Sequence, residues 1–272
     1  MKIIRVPVPG PTLWPHTATN CYLIGDGRES ILVDAGYDRP ETKIVLEKAI
    51  SDNGLAQPAS VILTHHHRDH APGVRQLADW SPAVYCHRNE RQAIEAAIAP
   101  VPAGGVSLLE DKQTVRVAGA EVKVLFAPGH TAGHLSLYIP SGKTLLSGDN
   151  IVAEGTTWIG PPDGDMTDYL NTLRRLKRLD MMQIGPGHGD WVLAPYEQIE
   201  FVIRRRLQRE QQILSLLGER GELDPERLTQ WIYGDSIHPS LFDVATRTTE
   251  AHLIKLLREG AVTRREAMYS LK

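Results

Sequence analysis

A chain of 272 residues, 42% hydrophobic and 23% charged, has the composition of an ordinary folded protein, which excludes disordered, collagen-like and membrane-embedded classes. A net charge of −3 gives no global attraction to a polyanion. Two cysteines, Cys21 and Cys86, are too few for a disulfide framework and too widely spaced for a paired thiolate zinc site, so both are expected to be inert and buried.

The N-terminus soon meets Pro7, Pro9 and Pro11, with no apolar run long enough for a signal peptide or a spanning helix. A cytoplasmic protein without membrane contact is the expectation. Residues 20–35 form two short apolar runs broken by Gly25-Asp26-Gly27, a hairpin signal. An amphipathic helix is predicted over residues 40–51, stopped before Gly54, and a β-branched strand at Val61-Ile62-Leu63. The polar cluster His65 to His70 then falls on the loop at that strand's carboxyl end, where ligands face a crevice.

Residues 73–80 read as a short helix, 83–86 as a strand and 88–98 as a helix ended by Pro100. Strand-like runs follow at 106–109, 114–117, 121–126, 135–139 and 144–146, separated by glycines and prolines, and suggest a largely antiparallel sheet. A helical period resumes over 168–179, and a strand at 182–184 leads into Gly187-His188-Gly189. Sheets covered by helices, an α/β class, are the simplest architecture for this order. After Pro195 the pattern turns helical, at 197–217, 225–232 and 241–258, with a weak signal for a β wing from Gly260. The chain therefore divides into residues 1–195 and a mostly helical region, 196–272.

His65, His67, Asp69 and His70 crowd ionisable groups beside a buried strand, and metal coordination explains that crowding economically. Two residues apart in an extended segment, His65 and His67 can point the same way, while the next turn carries Asp69 and His70 to a neighbouring position. One loop thus furnishes parts of two sites. The remaining ligands should come from other strand ends, and His130, Asp149 and His188 each follow an apolar run plus glycine. A structural zinc is closed by four ligands, whereas seven candidates suit two open ions and catalysis, in preference to a metal-binding module without turnover.

The loop His65-His66-His67-Arg68-Asp69-His70 matches the H-x-H-x-D-H signature of the metallo-β-lactamase superfamily, and Gly129-His130-Thr131, Gly148-Asp149 and Gly187-His188-Gly189 resemble its later metal motifs in order. The resemblance covers about residues 1–195 and implies a four-layer αβ/βα sandwich. It implies His65, His67 and His130 on one metal, Asp69, His70 and His188 on a second, and Asp149 bridging both. Two zinc ions are expected, with iron or manganese able to use the same donors. Such a pair, about 3.5–4 Å apart, lowers the pKa of a bridging water and polarises the substrate, with Asp69 and Asp149 the catalytic carboxylates and Asp69 the candidate proton carrier. One departure is local: Ala71-Pro72-Gly73 carries a proline where the family often has glycine.

The C-terminal residues 209–214 and 251–260 resemble the lactamase-β-like subgroup with a winged-helix-like tail. That likeness implies a hydrolase acting either on carboxylic esters and acyl-carrier thioesters, the favoured reading, or on single-stranded RNA as an endoribonuclease. Penicillin-type hydrolysis is disfavoured, since secreted lactamases carry a signal peptide and usually lack the Asp69 form of the motif. His16, His87, His238 and His252 are assigned no chemistry, and His66 and His134 are expected beside the site as supporting groups. The arginine runs 174–178 and 204–209 read as solvated helix faces rather than RNA contacts. Trp14, Trp158 and Trp191 read as packing residues.

Overall fold

In the computed structural model, residues 1–12 and 15–272 are described, the side chain of Asp235 aside; Trp14 lies outside them. They form two units, residues Met1–Ala127, Gly133–Gly155 and Leu179–Pro195 in the first, and Pro128–Ala132, Thr156–Arg178 and Tyr196–Lys272 in the second.

The first unit holds two sheets. One runs in the order β1 (Lys2–Pro9), β2 (Ala18–Gly25), β3 (Ser30–Val33), β4 (Ser60–Ile62), β5 (Ala83–Cys86), β6 (Val106–Leu108). The hairpin read from Gly25-Asp26-Gly27 pairs β2 with β3 antiparallel, and from β3 to β6 the pairing is parallel. Parallel neighbours need a crossover. The crossovers are α1 (Pro40–Asn53), the helical turn Pro72–Trp80 and α2 (Arg91–Ala97).

Side chains alternate along each strand, so β2 sends Cys21 and Leu23 to one face and Tyr22 and Ile24 to the other. The first face packs with Leu32, Val61 and Val84 against Leu46, Leu77 and Ile94 of the crossovers. The second meets Val122, Val124, Leu135, Leu137 and Leu146 of the other sheet. Each such fully buried side chain contributes about 1.5–3 kcal/mol. That second sheet has the order β11-β10-β9-β8-β7, where β7 is Thr114–Val117, β8 Ala120–Phe126, β9 Leu135–Ile139, β10 Thr144–Gly148 and β11 Gln183–Pro186. Pairs β7–β8, β8–β9 and β9–β10 are antiparallel, and β10–β11 is parallel.

Two strands depart from the sequence reading. The run at 106–109 does not join the antiparallel sheet: after α2 the chain returns to the edge of the first sheet, parallel to β5. β1 was not foreseen, because Pro7 and Pro9 argue against a strand; as an edge strand it has one side with no ladder to serve, which is where proline is tolerated.

In the second unit α3 (Met166–Leu176) starts at Asp165, whose side chain accepts from the backbone N–H groups of Thr167 and Asp168. α4 (Pro195–Arg220), α5 (Pro225–Tyr233) and α6 (Phe242–Arg258) lead to a hairpin of β12 (Val262–Arg265) and β13 (Met268–Leu271), so the wing signalled after Gly260 forms. Ile213, Leu217, Leu228, Leu253, Leu256, Val262 and Tyr269 make their core. Arg204 and Arg205 are exposed as read, but Arg206 is buried, donating to the Thr157 carbonyl and lying over the Tyr169 ring. Helical spacing alone distinguishes it from its neighbours. Among the described residues no helix is long and apolar enough to cross a membrane.

Candidate metal centre

The carboxyl ends of four strands supply the site in the first unit. β3 and β4 are parallel neighbours, so Asp34, just past β3, lies beside Thr64 and the histidine loop just past β4. Asp34 is buried at φ 57°, a conformation aspartate tolerates better than most residues. Its carboxylate accepts from Thr64 N and Oγ1, both at 2.8 Å, and from His70 Nδ1 at 2.8 Å. The partners β10 and β11 are likewise parallel, which places Asp149 and His188 side by side.

The imidazoles are oriented from behind. His70 Nδ1 meets Asp34, His188 Nδ1 meets the Ala18 carbonyl at 3.0 Å, and His65 Nδ1 meets Thr64 Oγ1 at 2.9 Å. A metal-ligating histidine characteristically gives its second nitrogen to such a partner, which fixes both tautomer and ring direction. Their other nitrogens converge. His65 Nε2 is 3.1 Å from His67 Nδ1, His70 Nε2 is 3.2 Å from Asp149 Oδ1, His188 Nε2 is 3.3 Å from Asp149 Oδ2 and 3.4 Å from Asp69 Oδ2, and His70 Nε2 is 3.9 Å from Asp69 Oδ2.

Those spacings test the donor set against an ion. Four tetrahedral ligands about 2.0–2.2 Å from one zinc stand roughly 3.3–3.6 Å from each other. The donors stand 3.1–3.9 Å apart, around that spacing, and within the first unit they form two overlapping groups, His65 with His70 and Asp149, and Asp69 with His70 and His188. Gly187 completes the cradle: a Cβ there would lie 2.0 Å from Asp149 Oδ1.

Charge gives the same answer. Burial opposes ionisation of Asp149, yet His188 and His70 beside it hold its carboxyl well below the usual range. Burial likewise opposes Asp69, and His70 and His188 lower it nonetheless. Burial should discharge His70, but Asp149, Asp69 and Asp34 raise it well above its ordinary value. His188, against the same burial, is raised to about 10, chiefly by Asp149. The pocket is built to hold positive charge, for which protons and a divalent cation would compete.

His130 lies on the Pro128–Ala132 segment, which groups with the second unit. There its Nδ1 meets the Trp158 carbonyl at 2.8 Å. Gly129 (φ 139°) brings this loop onto α3, since a Cβ would lie 2.3 Å from Tyr169 Cα.

The sequence reading missed three neighbours. Asp34 follows an apolar run with no motif around it. Glu90, ahead of α2, is buried and accepts from His66 and Gly133. His16, assigned no chemistry, stacks on His188 with ring centroids 5.2 Å apart. His134, expected as a supporting group, is fully buried, stacks on His65 at 5.2 Å and faces the Asp149 N–H at 3.2 Å.

Residues 14–188 match the family model of the metallo-beta-lactamase superfamily. The chain belongs to the metallo-β-lactamase superfamily. Residues 225–269 match the beta-lactamase associated winged helix domain. Among curated superfamily relatives, the beta-lactamase-like protein 2 homologs of Drosophila melanogaster and Caenorhabditis elegans are 31% and 30% identical, covering 95% and 93% of this chain and 89% and 83% of their own. An atrochrysone carboxyl ACP thioesterase of Cryptosporiopsis sp. is 25% identical over 96% of this chain and 81% of its own.

Two solved structures of the superfamily fold bear on the architecture. A metallo-beta-lactamase family protein of Thermus thermophilus superposes with a TM-score of 0.83 at 24% identity, covering 99% of this chain and 98% of its own. A protein solved in a di-iron-bound form gives a TM-score of 0.55 at 31% identity over 70% of this chain and 96% of its own. The fold is thus the superfamily's α/β sandwich with a winged-helix C-terminal region, and the chain is a superfamily hydrolase with a candidate metal centre.

Proposed function

We propose that this hydrolase is a dinuclear metal enzyme that cleaves carboxylic thioesters or esters. The observation that carries the proposal is the convergence of imidazole and carboxylate donors at 3.1–3.4 Å, each imidazole among them that is braced from behind presenting Nε2. His65, His67 and His130 would hold one ion, Asp69, His70 and His188 the other, and Asp149 would serve both. Zinc suits this set, and iron and manganese share the donors. On this reading residues 1–195, which contain every proposed ligand, are the catalytic domain and residues 196–272 the tail.

Ions bound there would polarise the scissile carbonyl and lower the pKa of an attacking water. The chain's own part is to place and relay the proton. Asp69 is the more exposed of the two carboxylates at the pocket, its side chain 14% exposed against 10% for Asp149. Thr19 Oγ1 donates to Asp69 Oδ2 at 3.3 Å, which braces the oxygen that would face the ion and leaves the other oxygen of the carboxylate to accept a proton and pass it to the leaving group. His16, stacked on His188, narrows the pocket on the β2 side.

Support for a thioester comes from the thioesterase-named relative that aligns over nearly the whole chain, and from a net charge of −3, which lacks the electrostatic footprint of a nucleic-acid enzyme. Metal-verified protein should turn over a panel of acyl thioesters with little effect of salt, and Asp69→Ala should lower that turnover about 100-fold or more. Labelled single-stranded RNA, assayed beside it, should stay intact. Cleavage of the RNA alone, falling steeply with salt and abolished in Asp69→Ala, would replace the thioesterase by an endoribonuclease. Metal uptake without turnover of either would leave a binding module.

A further inference from the structure

We infer that Glu90 is a positioning residue for the candidate metal centre, a buried carboxylate that clamps the histidine loop to Gly133 and thereby fixes the backbone that carries His65 and His67. The inference rests on the metal-centre reading above and assigns a role to a residue outside the ligand set.

Glu90 is 1% exposed, and a buried carboxylate is costly unless hydrogen bonds satisfy it. Its bonds go to two loops. Oε2 accepts the backbone N–H of His66 at 3.0 Å and closely contacts His66 Nδ1, while Oε1 accepts the backbone N–H of Gly133 at 2.9 Å. The bond to the His66 N–H fixes the backbone between His65 and His67, whose nitrogens stand 3.1 Å apart, while the His66 ring, in contact with Glu90, keeps an edge contact with the His67 ring at 4.9 Å between centroids.

The second anchor needs a glycine. A Cβ on residue 133 would lie 2.7 Å from Glu90 Cγ and 2.8 Å from Glu90 N. Gly133 leads directly into His134, whose ring packs on His65 and faces the Asp149 N–H. One carboxylate thus fixes the backbone of two proposed ligands, and through His134 it backs His65 a second time. A glutamine in its place has one acceptor oxygen and keeps one anchor at most.

The test is Co²⁺ affinity of the full chain, by competition with a chromophoric chelator, in two backgrounds. His188→Ala leaves the His65/His67 site intact, and His67→Ala leaves the Asp69/His70/His188 site intact. Glu90→Ala should weaken the first background about 10–100-fold, the cost typical of losing an outer partner, and change the second less than about threefold. Glu90→Gln should weaken the first by about tenfold on the same grounds, and it carries the test if the alanine variant does not fold. Equal losses in both backgrounds, no loss in the first, or failure of both variants to fold would overturn the positioning role. Fewer than two Co²⁺ on the unmodified chain would strike the dinuclear reading instead, leaving the Glu90 comparison at the His65/His67 site readable.

Discussion

At the scale of single residues, the candidate centre is governed by what stands behind each candidate ligand. Asp34 both closes the β3 end through Thr64 and fixes His70 through Nδ1. Asparagine adopts its left-handed backbone without strain but places no full negative charge behind His70. Asp34→Asn should therefore fold, and bind divalent metal about tenfold more weakly or worse, as measured by chelator competition. Unchanged affinity would remove Asp34 from the site's support. The metal-free protein makes a second test. His188 is raised to about 10 there, above the ordinary imidazole value, so its proton stabilises the folded state fully below about pH 6.5. That contribution is lost as pH rises through about 10, whereas metal affinity rises over the same range because the ion displaces the same protons. Calorimetry in chelator should thus show a melting temperature that falls from pH 7 to 10, and a metal titration the opposite trend in affinity. A melting temperature that rises instead would mean that His188 is not held protonated.

At the scale of elements, the sequence revealed what periodicity and punctuation encode. The β2–β3 hairpin, the histidine loop after β4 and the helices of the tail all carry local signals, and so did the order of the metal motifs. Glu90 and Asp34 carry none, because a buried carboxylate is recognised by its donors, and those come from residues 24 to 43 positions away along the chain. β1 was hidden by its prolines, and β6 by a pairing that depends on which edge the chain returns to after α2. The glycine after Pro72 shows how a short motif departure is absorbed. Gly73 N–H donates to the Gly36 carbonyl at 2.9 Å, and a Cβ at position 73 would lie 2.0 Å from the Ala35 carbonyl oxygen. Ala35 N in turn donates to the His70 carbonyl. Close approach of the turn Pro72–Trp80 to the β3 end therefore requires glycine here, whatever precedes it. Gly73→Ala should lower stability by about 1–3 kcal/mol through overpacking, read from urea unfolding, and weaken metal binding through the His70 carbonyl contact. A variant as stable as the parent would show that the turn shifts freely.

At the scale of the molecule, the two units depend on different conditions. The first carries most of the candidate centre's donors, so an ion that bound there only in the folded state would stabilise it by mass action. The second has its own buried ionic knot between α4 and α6. Glu210 meets His252 Nδ1 at 3.2 Å and Lys255 Nζ at 2.8 Å, all three buried. Burial pushes His252 down to about 4, with Arg206 adding to the effect against the pull of Glu210. Its folded value therefore lies below its unfolded one, so the unfolded chain binds more protons between about pH 4 and 6.5, and stability is complete above that window and lost as pH falls through it. The loss reaches about 3 kcal/mol at most for such a shift. Glu210, held low against its burial by the hydrogen bonds of His252 and Lys255, adds stability that is lost in the same direction. Hydrogen exchange on metal-loaded protein should accordingly show α4 and α6 losing protection between pH 7 and 5 while β3, β4 and β10 keep theirs, and chelator at pH 7 should reverse which unit opens first. His252→Gln, neutral at every pH, should flatten the acid response of the second unit. If that variant kept the full acid sensitivity, the knot would be a spectator, and the lability of the tail would have to come from its exposed ion pairs.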